Sequence, residues 1–162
     1  MSSKPRHKKY RPRPVHVAGG LLVIAKACAR GQDAAPLVDD QRTDLGLAYW
    51  LSMEQLRTGD ATEEAWSCVV SSLNIAMALA EDGVGDEYEK AIVRALDGAF
   101  RAKVRSATSG NFRLDGEAIR AIDHALEVHD AQLAEASRAQ IVAALHLVRQ
   151  RIEEGNVYTI QN

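Results

Sequence analysis

The sequence predicts an all-α protein: a helical bundle of four to five helices, preceded by an extended basic N-terminal arm. Three observations point this way. Aromatic residues make up only 5% of the 162 residues, while Ala, Leu, Val and Ile are plentiful; that composition suits closely packed helices. Apolar residues recur at three- and four-residue spacing through most of the chain beyond residue 40, the period of one helix face. Gly-containing breaks, several followed by Asp at a cap position, divide most of these runs. The length fits one domain that buries a core without metals or disulfides.

The chain divides into a basic Pro-rich arm (1–16), an apolar segment with a connector (17–39), the bundle (40–155) and a short tail (156–162). The arm is expected to be extended, because Pro5, Pro12 and Pro14 each fix a backbone angle and push the preceding residue away from helix. VAGGLLVIAKACARG, residues 17–31, reads as a short helix from about Leu21 to Gly31, with a buried strand as the alternative. The first long helix is expected over about 40–58. Leu45, Ala48, Tyr49, Met53 and Leu56 share one face, and Leu47, Trp50 and Leu51 lie on another. A helix apolar on two sides is buried between layers or holds one side in an oligomer interface, so a homodimer or higher oligomer is expected.

Asp60 and Glu63 have capping-box spacing and predict the start of a second helix, about 62–81. Its run AWSCVVSSLNIAMALA, Ala65 to Ala80, carries no charge for sixteen residues, which makes it the centre of the domain. It is too short and too polar for a membrane span. Asn74 inside it needs hydrogen-bond partners if buried, either to fix helix register or to mark a site. Asp86 and Glu89 repeat the box spacing and predict a third helix to about Ser106, with Tyr88, Ile92, Ala95, Leu96, Ala99 and Phe100 as its stripe. SATSGNF then reads as a turn. Asp115 caps a fourth helix, with Ala118, Ile122, Ala125, Leu126, His129 and Leu133 facing inward. Ser137 and Gln140 fit the cap of a fifth helix, although an unbroken run to Glu154 fits as well. Ile141, Leu145, Val148 and Ile152 form the last stripe, and Gly155 ends it.

The net charge of −2 conceals an asymmetry. Residues 1–32 carry +8 with no acid, and residues 33–162 carry −10. A basic arm on an acidic body suits nucleic acid or an anionic surface; an arm folded back to neutralise its own body fits the same charges. Lys4, Arg6, Lys8, Lys9, Arg11 and Arg13 can follow a phosphate chain, and Tyr10 can stack on a base. An acidic protein groove would engage the same residues. Arg101, Lys103 and Arg105 form a possible second basic patch, or else solvated charge opposing the negative end of the third helix dipole.

Other chemistry finds little support. Cys28 and Cys68 form no CxxC pair and fit reduced thiols of the cytosol, Cys68 being made inert by its apolar helix. The basic start and Ala25-Lys26-Ala27 resemble a secretion signal, but the basic region is too long and contains three prolines, so a cytoplasmic location is expected. His124, Glu127, His129 and His146 lack the Glu-x-x-His repeat of a metal bundle, and His129 reads as a core histidine. Ser71 and Ser72 have no nucleophile context. Gly83-Val84-Gly85 follows a helix instead of a strand and leads into Asp86, Glu87 and Glu89, which repel phosphate; the same acids argue against a helix-turn-helix here. No catalytic residue, metal or cofactor is assigned.

Lys9-Tyr10-Arg11-Pro12-Arg13-Pro14-Val15, LRTGDATEEAW (56–66), NIAMALAEDGVGDEY (74–88) and ALEVHDAQL (125–133) together resemble a family of small helical proteins encoded in prophages and mobile elements of proteobacteria. Residues 16–40 depart from that pattern. The resemblance implies an intracellular accessory protein and brings no activity and no functional residues. The expectation is therefore a non-enzymatic accessory or regulatory protein whose arm contacts nucleic acid or a nucleic-acid-bound machine. The alternative is a protein-binding inhibitor of a host defence or regulatory system, acting through the acidic body. Neither involves a membrane.

Overall fold

A computed structural model describes Pro36, Leu37 and residues 39–155. The arm, the apolar segment at 17–31 and the tail from 156 lie outside the described residues. Within them, the all-α expectation holds. Five helices follow in order: α1 (Asp39–Thr58), α2 (Glu63–Glu81), α3 (Glu89–Ser109), α4 (Gly116–Glu135) and α5 (Arg138–Glu153). A single 3-10 turn, Asp86–Tyr88, precedes α3.

α2 is the hub, as its uncharged run predicts, and it touches each of the other four helices. Val69, Leu73, Ile75, Ala76 and Leu79 are buried, while Trp66, Cys68, Val70 and Met77 pack at the margin of the core. Two of its polar residues bond back within the helix. Ser72 Oγ donates to Cys68 O at 3.1 Å, and Asn74 Nδ2 donates to Val70 O at 2.9 Å. Back-bonding of this kind offsets the desolvation penalty without a cross-helix partner, and among the described residues the Asn74 amide bonds within its own helix.

α1 runs antiparallel to α4: Tyr49 meets Asp130, and Arg57 reaches Asp123 at 2.8 Å. Leu45, Tyr49, Met53 and Leu56 form its buried face. The second apolar face is not covered by the other described helices, with Leu47 55% and Leu51 63% exposed. Ile152, expected in the last stripe, is 56% exposed because α5 passes beyond the core at its end. Tyr88 is likewise exposed on the 3-10 turn.

Two of the four expected caps form as read. Asp115 accepts from Ala118 N at 2.8 Å. Ser137 and Gln140 make a reciprocal capping box, and Ala136 turns extended (φ −64°, ψ 139°), so α4 and α5 are separate helices. The other two caps differ. Thr62, not Asp60, caps α2 and accepts from Ala65 N at 3.2 Å; Asp60 still lies in the turn that follows left-handed Gly59 (φ 89°). Glu63 pairs with Lys103 instead of closing a box. Before α3, left-handed Gly85 (φ 74°) admits the 3-10 turn, and Tyr88 at the helix start makes no side-chain cap. A Cβ on Gly85 would also stand 3.4 Å from Gln132 Cγ and Nε2. α3 runs past the expected end at Ser106 to Ser109, because Ser106, Thr108 and Ser109 bond back to carbonyls of the preceding turn.

α3 and α4 make the most extensive pairing in the bundle, and small residues permit it. Gly98, Ala95, Ala99 and Ala102 are buried on α3, facing α4 with Ala118, Ile122 and Ala125. A Cβ built on Gly98 would lie 2.7 Å from Ala118 Cβ and 3.0 Å from its Cα. Glycine costs a helix interior about 1 kcal/mol relative to alanine, so contact rather than propensity selects it. Gly98→Ala should therefore destabilise the protein by about 1–3 kcal/mol, as overpacking does, despite alanine's better propensity. Urea denaturation followed by far-UV circular dichroism measures the sign; a gain in stability would show that the helices part freely.

Candidate functional site

The arm residues singled out in the sequence, Lys4, Arg6, Lys8, Lys9, Tyr10, Arg11 and Arg13, lie outside the described residues. The possible second patch, Arg101, Lys103 and Arg105, lies at the C-terminal half of α3, and each cation there meets a carboxylate. Arg101 Nε stands 3.4 Å from Asp115 Oδ2, and Arg101 Nη2 3.7 Å from Glu117. Arg105 Nη1 approaches the same Asp115 oxygen at 3.2 Å. Lys103 pairs with Glu63 and lies over the rings of Trp66 and Phe112, 5.1 and 5.3 Å from their centroids. Trp66 itself donates from Nε1 to Ala99 O at 2.8 Å, joining α2 to α3.

Asp115 therefore has two structural tasks, capping α4 and gathering the arginines of α3. The backbone N–H of Ala118 is the main reason its carboxyl pKa falls to about 2, with Arg101 and Arg105 adding to it against the opposing pull of burial. Beside it, Arg105, Thr108, Ser109, Asn111 and Arg113 line a shallow depression of about 610 Å3. Its polar groups are largely engaged in holding the turn. Asn111 Nδ2 donates to Gly59 O at 3.1 Å, Asn111 Oδ1 accepts from Arg113 N at 2.6 Å, and Arg105 Nη2 donates to Arg113 O at 3.0 Å. The result is a neutralised, cross-braced corner of the bundle. Guanidiniums already committed to carboxylates offer less to a phosphate than free ones.

A second constellation, not singled out in the sequence, joins α1 to α4. Asp130 accepts from the Tyr49 hydroxyl on one oxygen and from Trp50 Nε1 at 3.0 Å on the other. Burial, and then the Asp130 carboxylate, drive the Tyr49 phenol well above its ordinary range. His129 packs against the Tyr49 ring, 5.5 Å between centroids. It is the core histidine the sequence suggests, buried with His124 left exposed on the other side of α4. Neither His129 Nδ1 nor Gln132 Oε1 makes a well-formed hydrogen bond. Burial holds the imidazole pKa down to about 4, outweighing the opposite influence of Asp130 and Gln132. In front of Asp130 lies an open depression of about 540 Å3 whose lining includes Arg42, Gly46, Leu47 and Trp50. The pattern Tyr-Trp on α1 is visible in the sequence, but its partner lies 81 residues away, and no local spacing reveals that.

Cys68 sits on α2 near Ser52 of α1, and burial raises its thiol pKa, with Ser52 opposing. Among the described residues no three His, Cys, Asp or Glu side chains gather as a metal site, and no helix is long and apolar enough to cross a membrane. No family model, no curated protein and no solved structure matches the chain.

Two outcomes test this description. Asp115→Ala should cost about 1–2 kcal/mol by removing an N-cap, whereas Asp115→Ser, which keeps the cap and loses the arginine pairs, should cost less; equal losses would make the ion pairs dominant. His129 sets a pH dependence. The unfolded chain takes up a proton near the ordinary value of 6.5, while the folded chain refuses it until about pH 4. Stability should thus fall as pH drops through that window, by up to about 3 kcal/mol. His129→Phe, measured by chemical denaturation at each pH, should flatten the fall.

Proposed function

We propose that the chain is a non-enzymatic accessory or regulatory protein of a mobile element, whose N-terminal arm contacts nucleic acid or a nucleic-acid-bound machine. The observation that carries this reading is the charge asymmetry of the sequence. In the bundle, Arg57, Arg101, Lys103, Arg105 and Arg151 each meet a carboxylate. The arm cations belong to a stretch, residues 1–32, with no acid at all. Counterion release from phosphates is available to the arm at little electrostatic cost, and less so to the paired cations of α3. The mobile-element assignment rests on the resemblance of the four sequence blocks.

A non-catalytic role is supported by the titratable groups of the bundle. Cys68 and Tyr49 are driven toward their protonated, weakly nucleophilic forms. Asp115 is occupied as a cap, and His129 is enclosed. Burial and hydrogen bonds to neighbouring helices account for these perturbations. The second reading, a protein-binding inhibitor acting through the acidic body, is favoured by the exposed run Asp86, Glu87, Tyr88 and Glu89.

Fluorescence anisotropy with labelled single- and double-stranded DNA and RNA, across a salt series, separates the two. The full chain should bind with an affinity that falls steeply as salt rises, and a chain lacking residues 1–14 should not bind. Binding that survives the deletion would move the contact into the bundle. Absence of binding by both would reject the nucleic-acid reading and favour a protein partner of the acidic surface.

A further inference from the structure

The outward face of α1 carries an apolar patch whose occupant the rest of the chain can supply. Leu47 and Leu51, one turn apart, are 55% and 63% exposed, with half-buried Trp50 beside them. Nearer the helix start, the same side carries exposed Asp40 and Asp44. The face is therefore acidic at one end and apolar in the middle. It is only two leucines wide, a small part of the roughly 800 Å2 per partner that a stable dimer buries, so a second copy is a poor match for it alone.

We infer that this face is covered by the chain's own residues Leu21–Arg30, LLVIAKACAR, lying antiparallel along α1. The backbone fixes where that segment must come from. Pro36 pairs with Ser137 at the α4–α5 junction, and Leu37 is buried, 4% exposed, so the preceding chain leaves the bundle beside the first turn of α1. Gly31 to Pro36 spans at most about 20 Å when extended. Leu47 and Leu51 lie about 12–18 Å along the helix from Asp39. The connector is long enough to turn the segment back, and short αα connections favour antiparallel neighbours.

The charge order agrees with that direction. Lys26 and Arg30 are the only charged residues from Leu21 to Arg30 and stand four residues apart, the same spacing as Asp40 and Asp44. With the segment returning along α1, Arg30 and Lys26 come level with Asp40 and Asp44, and the Leu21–Ile24 end comes level with Leu47 and Leu51. A parallel or shifted arrangement would put the leucines against the aspartates. The same placement removes an exposed apolar patch and roots the arm at the side of α1. It holds whichever partner the arm takes.

Native Cys28 supplies the test. In a full-length Cys68→Ala chain, Thr43→Cys places a thiol on the outward face of α1 near the level of Cys28. In a second such chain, Ala139→Cys places one on α5, two residues from Ser137 of the Pro36–Ser137 bridge but off the face, so that tethering alone does not favour Thr43. Under mild oxidation, Cys28 should form its intramolecular disulfide on the order of ten-fold faster in the Thr43→Cys chain than in the Ala139→Cys chain, since docking raises the effective concentration at one position only. Adding Leu47→Ser and Leu51→Ser should erase the difference. Equal rates in the two chains would overturn the inference, and so would an intermolecular disulfide as the main product, which would assign the face to a second copy.

Discussion

The corner formed by Asp115, Ala118 and Gly98 sets the geometry from which the rest of the bundle follows. Ala118 donates its backbone N–H to the Asp115 carboxylate, and its Cβ presses against the bare backbone of Gly98. The cap and the closest helix approach therefore share one residue. Because Arg101 and Arg105 close on the same carboxylate, α3 is fixed in both separation and rotation relative to α4. With that pair set, a helix apolar on several sides is needed to fill the space beside it, and α2 is the one helix with enough uncharged length.

Polar groups within the core are arranged as staples between elements rather than as a cleft. Gln132 Nε2 donates to Ala76 O at 3.0 Å and to Val84 O at 2.7 Å, so one α4 side chain holds both α2 and the turn that leaves it. Gln140 Nε2 reaches Asp82 at 3.1 Å, and Arg151 binds Glu81 through both nitrogens, which anchors α5 to the end of α2. Each partly exposed pair contributes modestly. Their value lies in defining which turn of one helix meets which turn of another.

Much of this fold is legible in the sequence because its strongest signals are local. The uncharged run from Ala65 to Ala80, the inward stripe of α4, and the caps at Asp115 and Ser137 all depend on residues a few positions apart. The shifted boundaries share a cause: left-handed glycines at 59 and 85 displace the first helical turn by residues that capping spacing alone does not register. Hydroxyl back-bonding carries α3 beyond its last apolar residue. The candidate sites are less legible. Lys103 with Glu63, Arg101 with Asp115 and Tyr49 with Asp130 are pairings across turns and helices, and no local spacing in the sequence reveals the bracing role of these residues. The second side of α1 is legible as apolar, but its exposure follows from the layout of the whole bundle and not from its own residues.

The antiparallel pairing of α1 with α4 also has a consequence for the order in which the molecule is assembled. The first of the described helices finds its partners for Tyr49 and Arg57 only after 81 and 66 further residues have been made. α3 and α4, by contrast, are neighbours in sequence and close their corner across a six-residue turn, Gly110–Asp115. Loop closure costs more entropy over the longer span, and local contacts form first. α1 meets α2 across a turn of only four residues, Gly59–Thr62, so the late step is not the making of that pair but its closing onto α4, the one seam of α1 that must wait for the far end of the chain.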